Sequence, residues 1–421
     1  MSKLETEDAL GINGAGRTGK LTLWHHVARK YFSKIVVNFG REVGTNLEAV
    51  CSLIEKDSTY GSLHRFLFGV NAEPCVKIVD RGKNLLEVAG VPVTILQSAR
   101  NPKDIGWRKY GVRIVVDATG AFNDPTRPVD HPQGSLRGHL EAGAEKVLNS
   151  ATFKIKDKSQ PQPQDAVTLI YGVNHDVLNP TQHHLISAAS CTTTALAHMV
   201  KPLLDNLHSS KIMTASMSTV HAATNSQSVL DTVPKAGARD LRRSRSVLNN
   251  IILTSTGAAQ ALEQVIPEIR SIGFMADSVR VPILTESLII LNVTFQTTLE
   301  GDDKSSVHRD KLNKIYAAAA AAGPQKGLLF YSEDQNVPSD VMGMKAAVVI
   351  EAAETHTRTG FVSVDLAQIP GMDPEVIQHL DSGIVKIPVT HAKAFGWYDN
   401  EYGGYTNLLG DLTVHVHQVL D

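Results

Sequence analysis

The pattern of apolar and polar positions divides the chain into two parts of different character. Over the first 150 residues, short apolar runs alternate with amphipathic stretches, which predicts a parallel sheet flanked by helices. Strands are expected at residues 9–12, 35–37, 91–96, 113–117 and 146–149, and helices from about residue 17 and at residues 134–142. Residues 154–165 are polar, which is typical of a surface loop.

From residue 190 onward the pattern changes. Apolar residues at helical spacing predict a helix at 195–207, and longer alternating segments predict strands at 212–220 and 287–297. A further helix is expected at 303–322, where an alanine run ends at Gly323 and Pro324. The segment 351–388 contains no motif and is expected to elaborate this part. The elements predict an α+β domain whose sheet is more antiparallel than the first.

Composition excludes several classes of function. The 41 Lys and Arg residues balance 43 Asp and Glu residues, so the net charge gives no reason to expect a nucleic-acid partner. No apolar run approaches the roughly 20 residues that a membrane span needs. The three cysteines (Cys51, Cys75 and Cys191) are too few for a disulfide framework. A soluble cytoplasmic protein with no membrane contact is therefore expected.

Histidine pairs occur at residues 25–26 and at residues 415 and 417. Each pair lies on a predicted helix, where residues at these spacings do not face one another. Neither pair has cysteine or carboxylate ligands at a metal-binding spacing, so no metal site is predicted.

A glycine-rich segment, GAGRTG at residues 14–19, follows the first predicted strand and opens a helix. Its glycines (Gly14, Gly16 and Gly19) would permit a tight turn, close approach to a pyrophosphate, and close packing of helix on strand. The N–H groups at the helix N-terminus would face the phosphates. At the start of a βαβ pattern, this motif predicts a dinucleotide site.

The residue that normally selects between the two nicotinamide dinucleotides is missing. An acidic residue at the end of the second strand usually holds the adenosine ribose 2′-hydroxyl. Here Phe39 stands at that place, and Glu42 comes several residues too late. Arg41 is available to face a 2′-phosphate, so the sequence leaves NAD and NADP both open.

Cys191 and His221 are the candidates for covalent chemistry. Cys191 precedes a predicted helix, whose N-terminus lowers a thiol pKa from about 8.5, and His221 ends the strand predicted at 212–220. A thiolate and an imidazole on a dinucleotide fold indicate aldehyde oxidation: the thiolate adds to the aldehyde, and the thiohemiacetal loses hydride to nicotinamide and becomes a thioester. A cysteine–histidine hydrolase is the alternative; the glycine segment and the segment around Asn400 argue against it.

Six further segments resemble, in order, those of the glyceraldehyde-3-phosphate dehydrogenase family: SAASCTTT (187–194), STVHAAT (218–224), DLRRSR (240–245), TSTGAA (254–259), VRVP (279–282) and WYDNEY (397–402). The resemblance runs from about residue 11 to the end of the chain. With the apolar pattern, it implies an α/β fold: a Rossmann-like dinucleotide-binding domain at 1–189, completed by a helix at 399–421, and an α+β catalytic domain at 190–398. It also implies a homotetramer.

The resemblance implies a role for each matching residue. Cys191 would be the nucleophile and His221 its base, while Arg280 and Thr224 would hold the terminal phosphate of glyceraldehyde 3-phosphate. The remaining substrate and inorganic-phosphate residues would be Ser190, Thr192, Arg243, Thr256 and Gly257. The cofactor residues are assigned as Gly14, Gly16, Arg17, Thr18, Gly19, Phe39, Arg100, Thr119, Ser150 and Asn400. Among the arginines at 239, 242, 243 and 245, only Arg243 is expected to leave a solvated basic face.

The implied reaction is the oxidation of glyceraldehyde 3-phosphate to 1,3-bisphosphoglycerate, with NAD as cofactor and NADP as the alternative. Two alternatives remain: an erythrose-4-phosphate dehydrogenase in which water resolves the thioester, and a binding protein that keeps the fold without turnover. The retention of Cys191, His221 and Arg280 together argues against the second.

The sequence also departs from the family pattern after Cys191 and in its length, and one pair of residues bears on the choice of cofactor. Thr194 and Ala195 replace a frequent Asn–Cys pair, and the second cysteine of that pair is not the nucleophile. The pair Val233-Pro234 resembles NAD-preferring members and so conflicts with the cue from Phe39. The chain is longer than usual around residues 71–91 and 351–388.

Overall fold

The computed structural model describes residues 6–97, 99–207, 209–300, 304–379 and 382–420. The chain forms two compact units, the first of Met1–Thr194, Met342–Ala347 and Asp399–Asp421, the second of Ala195–Val341 and Val348–Tyr398. The sequence had placed residues 190–194 and 342–347 in the second domain. The segment Met342–Ala347 is held in the first unit because Gly343 N–H donates to Asp399 Oδ2 over 3.0 Å.

The strands are, in chain order, β1 (Thr6–Asn13), β2 (Phe32–Asn38), β3 (Lys56–Asp57), β4 (Gly61–Ser62), β5 (Val76–Asp80), β6 (Leu85–Val88), β7 (Val91–Leu96), β8 (Val112–Asp117), β9 (Lys146–Asn149), β10 (Ala166–Thr168), β11 (Leu185–Ser187), β12 (Ile212–Ala222), β13 (Ile252–Ser255), β14 (Gly273–Val281), β15 (Ser287–Gln296), β16 (Leu299–Glu300), β17 (Lys304–Ser305), β18 (Leu329–Ser332), β19 (Val348–Glu351), β20 (His356–Asp365) and β21 (Ile384–Tyr398). The α-helices are α1 (Arg17–Arg29), α2 (Leu47–Glu55), α3 (Leu63–Phe68), α4 (Arg137–Glu141), α5 (Cys191–Asp205), α6 (Ala258–Val265), α7 (Arg309–Ala321), α8 (Pro338–Val341), α9 (Pro374–Gln378) and α10 (Asn407–Gln418), the last preceded by a π-helical turn at Tyr402–Thr406.

The first unit contains a nine-stranded sheet in the order β10-β11-β9-β8-β1-β2-β7-β6-β5. Seven neighbouring strands, from β10 to β7, are parallel, and β6 and β5 continue the sheet in antiparallel fashion. The central strands are buried almost continuously, as is expected of a parallel sheet covered on both faces. The predicted Rossmann-like α/β unit is confirmed, with β7 and β9 at the predicted bounds.

The second unit contains an eight-stranded sheet in the order β13-β14-β12-β15-β21-β19-β18, with β20 paired to β21. Only β12 with β14 and β18 with β19 are parallel pairs; the other pairs are antiparallel. The strand β15 alternates buried and half-buried side chains, the period expected of a sheet with one face toward a core. The predicted α+β unit, with its more antiparallel sheet, is confirmed.

The helix predicted at 303–322 was too long at its start. The helix α7 begins at Arg309, and β17 pairs instead with β16 in a short hairpin. Buried hydroxyl groups hold this segment extended: Ser305 Oγ lies 2.6 Å from Thr297 Oγ1 and 2.6 Å from Thr390 Oγ1, and it donates to the Val307 carbonyl over 2.7 Å. These bonds connect distant parts of the chain, so the alanine-rich pattern gave no sign of them.

The segment at 351–388 forms a long hairpin. Its strand β20 pairs with β21 over ten residue pairs, from His356 opposite Lys393 to Asp365 opposite Ile384. The short helix α9 lies in the connection between the two strands. The elaboration expected here is thus an extension of the second sheet.

Two adjacent histidines, His25 and His26, are buried in α1. The His25 ring stacks on Tyr402 at 4.0 Å between centroids, and its Nε2 lies 2.6 Å from the Tyr402 carbonyl. Burial, with a smaller effect from the nearby Arg29 charge, holds the pKa of both imidazoles well below their ordinary value. Both histidines are therefore neutral structural residues of the first unit.

These two histidines should make the protein sensitive to acid. In the unfolded chain each imidazole takes up a proton near pH 6.5, whereas the folded state resists protonation, so their stabilising contribution is complete above pH 6.5 and falls below it. Each should cost about 1.4 kcal/mol of unfolding free energy per pH unit below that point. Urea denaturation at pH 7.5 and 5.5 measures this loss. His26→Leu should reduce it, and an equal loss in wild type and variant would contradict the assignment.

Candidate active site

The glycine-rich turn connects β1 to α1 and has the geometry of a phosphate-binding loop. Gly14 has a φ of +92°, and a Cβ there would lie 2.9 Å from Thr119 Cγ2. A Cβ on Gly19 would lie 1.8 Å from the Gly14 carbonyl oxygen. Beside Gly16, the N-cap of α1, a Cβ would meet no atom within 4 Å, so the turn is open at this position. A dinucleotide pyrophosphate fits this cradle.

The side chain of Arg17 is held by hydrogen bonds to two carboxylates and a hydroxyl group. Its Nη1 donates to both Asp57 oxygens over 2.8 and 2.9 Å, its Nη2 donates to Thr59 Oγ1 over 2.7 Å, and its Nε donates to Glu401 Oε2 over 2.5 Å. The guanidinium thus connects α1 to β3 and to the segment before α10. A phosphate at this helix N-terminus would be bound by backbone N–H groups. Sequence reasoning missed both carboxylates because they are 40 and 384 residues away.

The other predicted cofactor residues follow the carboxyl ends of parallel strands, where α/β sheets bind ligands. Phe39 follows β2, and its half-buried ring packs on the apolar core. Thr119 follows β8, and Ser150 follows β9. Near Phe39, a shallow depression of about 790 Å³ is lined by Gly40, Arg41, Glu42, Gln97, Ala99, Arg100, Asn101 and Asp104. This depression suits the adenosine half of the dinucleotide, and it contains Arg100.

Cys191 is the first residue of α5 and is half-buried. Ser190 caps the helix, because its Oγ accepts from the Thr193 N–H over 3.2 Å. Ala189 before it has a φ of +56°, a strained conformation for a residue with a side chain, and Tyr405 OH donates to its carbonyl over 3.3 Å. This turn presents the thiol at a helix N-terminus, which favours the thiolate.

Two of the predicted residues lie next to the Cys191 sulfur. Asn400 Nδ2 donates to Sγ over 3.8 Å, and Thr192 Oγ1 lies 3.9 Å from it. The first unit therefore brings together a thiol, an amide donor and a hydroxyl.

His221 and Arg280 lie opposite each other on the parallel strands β12 and β14 of the second unit. The His221 Nδ1 lies 2.7 Å from the Ala222 carbonyl, which also accepts from Arg280 Nη1 over 3.3 Å. A carbonyl can only accept, so Nδ1 carries the proton and Nε2 carries the lone pair. Burial and the Arg280 charge lower the pKa of His221 to about 3, so the imidazole is neutral near pH 7.

Thr224 lies in an exposed turn after β12, where its N–H and its hydroxyl both donate to Gln227 Oε1 over 3.0 Å. Thr256 and Gly257 precede α6, and the Ala258 N–H donates to Thr256 Oγ1 over 3.2 Å. The residues assigned to the two phosphates are therefore spread over four segments of the second unit and the start of α5.

Arg243 does not leave the solvated face, contrary to expectation. Its side chain is 53% exposed, close to the 57% of Arg242, because both belong to a short exposed turn. Arg242 is paired with Asp240 over 2.8 Å, whereas Arg243 is 4.0 Å from the same carboxylate. Arg243 lines a cavity of about 750 Å³ together with Lys235 and Arg239. Arg243 thus differs from Arg242 in its weaker pairing with Asp240 and not in its burial.

Sequence reasoning also missed a cluster of four buried polar residues. Three of them lie at the carboxyl ends of central strands of the first sheet and one lies in α4: Asn13, Asn38, Asp117 and His139. A signal was present, since a polar residue closes each of the apolar strands β1, β2 and β8. Within the described ranges, no three His, Cys, Asp or Glu residues are arranged to hold a metal ion. Among the same residues, no helix is long and apolar enough to cross a membrane.

Comparison with known proteins gives matches over both units. Residues 9–125 match the family described as "Glyceraldehyde 3-phosphate dehydrogenase, NAD binding domain", and residues 190–370 match "Glyceraldehyde 3-phosphate dehydrogenase, C-terminal domain". The chain is 34% identical over 407 residues to glyceraldehyde-3-phosphate dehydrogenase of Streptomyces coelicolor, with 97% of this chain and 98% of the relative covered.

Two further relatives give the same result. Glyceraldehyde-3-phosphate dehydrogenase 1 of Bacillus subtilis is 31% identical over 407 residues, with 97% of each chain covered. Glyceraldehyde-3-phosphate dehydrogenase of Geobacillus stearothermophilus is 32% identical over 410 residues, again with 97% of each chain covered. The cradle at Gly14–Gly19 fits the NAD that the first match implies. The chain therefore belongs to the glyceraldehyde-3-phosphate dehydrogenase family of NAD-dependent oxidoreductases.

Proposed function

We propose that this enzyme oxidises glyceraldehyde 3-phosphate to 1,3-bisphosphoglycerate, with Cys191 as the covalent nucleophile. The observation that carries the proposal is the presentation of this thiol, with its strained preceding residue, its capped helix N-terminus and the Asn400 amide 3.8 Å from the sulfur. The names of the relatives, which match along nearly the whole chain, support the substrate.

In the proposed reaction, the Cys191 thiolate adds to the aldehyde carbon, and the resulting alkoxide takes up a proton to give a thiohemiacetal. Bound NAD supplies the two-electron acceptor for the next step. His221 then takes the hydroxyl proton as the carbon is oxidised, which leaves a thioester on Cys191. Inorganic phosphate attacks the thioester carbonyl, the thiolate leaves, and the acyl phosphate is released. The amide of Asn400 would fix the nicotinamide carboxamide.

The assignment of His221 as the base rests on the sequence motif, since it and Cys191 belong to different units. Its pKa of about 3 suits a neutral acceptor but would make a weak base. A thiolate close to Nε2 would stabilise the imidazolium and raise the pKa, opposing the effect of burial and of Arg280. This ion pair belongs to the free enzyme, because the sulfur of the thiohemiacetal is bonded to carbon and carries no charge.

The two phosphate groups are proposed to bind at different arginines. Arg280 and Thr224 would hold the phosphate of the aldehyde, because a guanidinium donates several charge-assisted hydrogen bonds to a phosphate. Arg243, Thr256 and Gly257 would line the site of inorganic phosphate with Ser190 and Thr192. The weaker pairing of Arg243 with Asp240 supports this choice over Arg242.

We also propose a homotetramer. Support comes from large apolar side chains exposed in the second unit: Val233, Leu241, Leu248, Ile251, Leu253, Met275 and Leu284 are all more than half exposed. Such a group of side chains is typical of a surface that another subunit covers.

Cys191→Ser should lower kcat by at least about 1000-fold without loss of the fold, because a neutral hydroxyl is a far weaker nucleophile than a thiolate. The absorbance of the reduced nicotinamide at saturating aldehyde, NAD and phosphate measures this rate. Cys51→Ser is the matched control and should stay within about twofold of wild type, since burial and neighbouring Glu48 raise the pKa of that thiol. A Cys191→Ser rate near that of wild type would refute covalent catalysis.

Arg280→Leu should raise KM for glyceraldehyde 3-phosphate roughly 100-fold, whereas Arg243→Leu should raise KM for inorganic phosphate about tenfold. The larger effect belongs to Arg280 because its guanidinium is partly buried and more strongly desolvated. Steady-state kinetics with both substrates varied separates the two effects. Arg242→Leu is the control for the exposed turn and should change neither constant more than about twofold. Equal damage to both constants by either variant would mean that the two phosphate sites are misassigned.

For the cofactor, we expect use of both dinucleotides, because no carboxylate at position 39 repels a 2′-phosphate. NAD should be somewhat favoured, because the pair Val233-Pro234 resembles that of NAD-preferring members. Phe39→Asp should increase the ratio of kcat/KM for NAD over NADP at least about tenfold, since like charges placed together are strongly unfavourable. Phe39→Asn introduces a side chain of nearly the same shape as aspartate but without its charge, and it should shift the ratio less. A wild-type ratio that strongly favours NADP would instead assign the decisive role to Arg41.

A further inference from the structure

Asp117 is a carboxylate with no exposed surface at the carboxyl end of β8. Its Oδ1 accepts from the N–H of Thr119 over 3.1 Å and from the Thr119 hydroxyl over 2.6 Å. Its Oδ2 lies 2.8 Å from Asn13 Nδ2 and 3.0 Å from His139 Nε2. A buried charge is tolerated only with such full hydrogen bonding, so each of these contacts is under strong constraint.

The indole of Trp107 sets the tautomer of His139. The indole N–H of Trp107 donates to His139 Nδ1 over 2.9 Å, and both rings have no exposed surface. An indole nitrogen can only donate, so Nδ1 must be the acceptor and Nε2 must carry the proton. His139 is therefore the tautomer with its proton on Nε2, and this N–H donates to Asp117 Oδ2.

The direction of the next bonds follows from the carboxylate. Asp117 can only accept, so Asn13 must present its NH₂ group to it, and Asn13 Oδ1 is left to accept from Asn38 Nδ2 over 2.8 Å. Asn38 Nδ2 also donates to the Ala99 carbonyl over 2.9 Å, and Asn38 Oδ1 accepts from the Gly40 N–H over 3.2 Å. We call Trp107, His139, Asp117, Asn13 and Asn38 the buried polar chain.

Two members of the buried polar chain, Asn38 and Asp117, bond to the loops assigned to the dinucleotide. Gly40 and Ala99, which bond to Asn38, line the depression assigned to adenosine. Thr119, which bonds to Asp117, lies against Gly14 in the glycine-rich turn. The middle members of the buried polar chain are Asn13 and Asp117, at the ends of β1 and β8, and His139 in α4. A change at His139 therefore reaches both loops through consecutive hydrogen bonds.

We propose that His139 is a positioning residue for the dinucleotide: held in one tautomer by Trp107, it acts through Asp117, Asn13 and Asn38 to set the loops at Gly40 and Thr119. This inference rests on the proposed placement of the dinucleotide and adds a residue that touches neither cofactor nor substrate. A histidine that only filled space in the core would need neither its two oriented bonds nor their continuation to both loops.

His139→Leu should raise the dissociation constant of NAD roughly tenfold, since the loss of a hydrogen bond to a buried charge disturbs Asp117 and both loops. His139→Gln, which can still donate and accept, should remain within about threefold of wild type. Isothermal titration calorimetry with NAD alone measures the constant without turnover. A failure of the proposed reaction would therefore appear in the aldehyde assay and leave this test intact. At saturating NAD, kcat of His139→Leu should stay within about twofold.

His26→Leu is the matched control, because it removes another fully buried histidine of the first unit without touching the buried polar chain. It should leave the NAD constant unchanged at pH 8. The double variant His139→Leu with Asn38→Leu should weaken NAD by less than the product of the two single effects, since both act along one chain. Equal effects of His139→Leu and His26→Leu, or fully multiplicative effects in the double variant, would overturn the proposal.

If His139→Leu does not fold, Trp107→Phe decides the question. It removes the indole N–H that fixes the tautomer and keeps an aromatic ring in the core. The NAD constant should then rise about threefold, with the fold verified by circular dichroism. A wild-type constant in Trp107→Phe would overturn the proposal.

Discussion

The first unit depends on one buried charge and the donors that satisfy it. Without partners, the Asp117 carboxylate would cost several kcal/mol in an apolar interior. Burial raises its pKa, and the hydrogen bonds from His139, Thr119 and Asn13 more than offset this effect, so the pKa lies below its ordinary value. Because the donors come from β1, α4 and the loop after β8, the carboxylate ties together the elements that surround the dinucleotide site.

A second set of ionic contacts closes the first unit around its C-terminal segment. Arg17 donates to Asp57 and Glu401, and Lys20 adds an ion pair of 2.8 Å to Asp57. The same segment supplies Asn400 to the Cys191 sulfur and Tyr405 to the Ala189 carbonyl. The residues after Tyr398 therefore hold both the glycine-rich turn and the turn that presents the thiol.

In the second unit the proposed chemistry depends on a neutral imidazole beside a permanent cation. The proximity of Arg280 and burial both disfavour the protonated form of His221, while the Ala222 carbonyl fixes the proton on Nδ1. The same carbonyl also receives Arg280, so one backbone group orients both residues. This arrangement gives the proposed base its orientation before any substrate binds.

The sequence by itself determined the fold class, most element positions and the family. These features depend on local information: the period of apolar residues, the glycine spacing, and short motifs around Cys191, His221 and Asn400. The bounds of β7 and β9 were correct to the residue for this reason. The start of α7 was wrong because Ser305 is held by hydroxyl groups of Thr297 and Thr390, the latter 85 residues away.

Only the tertiary structure decided the partners of the site residues. The guanidinium of Arg17 binds carboxylates from residues 57 and 401, and the buried polar chain joins residues 13, 38, 107, 117 and 139. Arg243 is as exposed as its neighbour, which its motif did not indicate. A sequence gives the donors and acceptors that a chain carries. Which of them meet is decided by the folding of distant segments into one interior, where each buried polar group must find a partner.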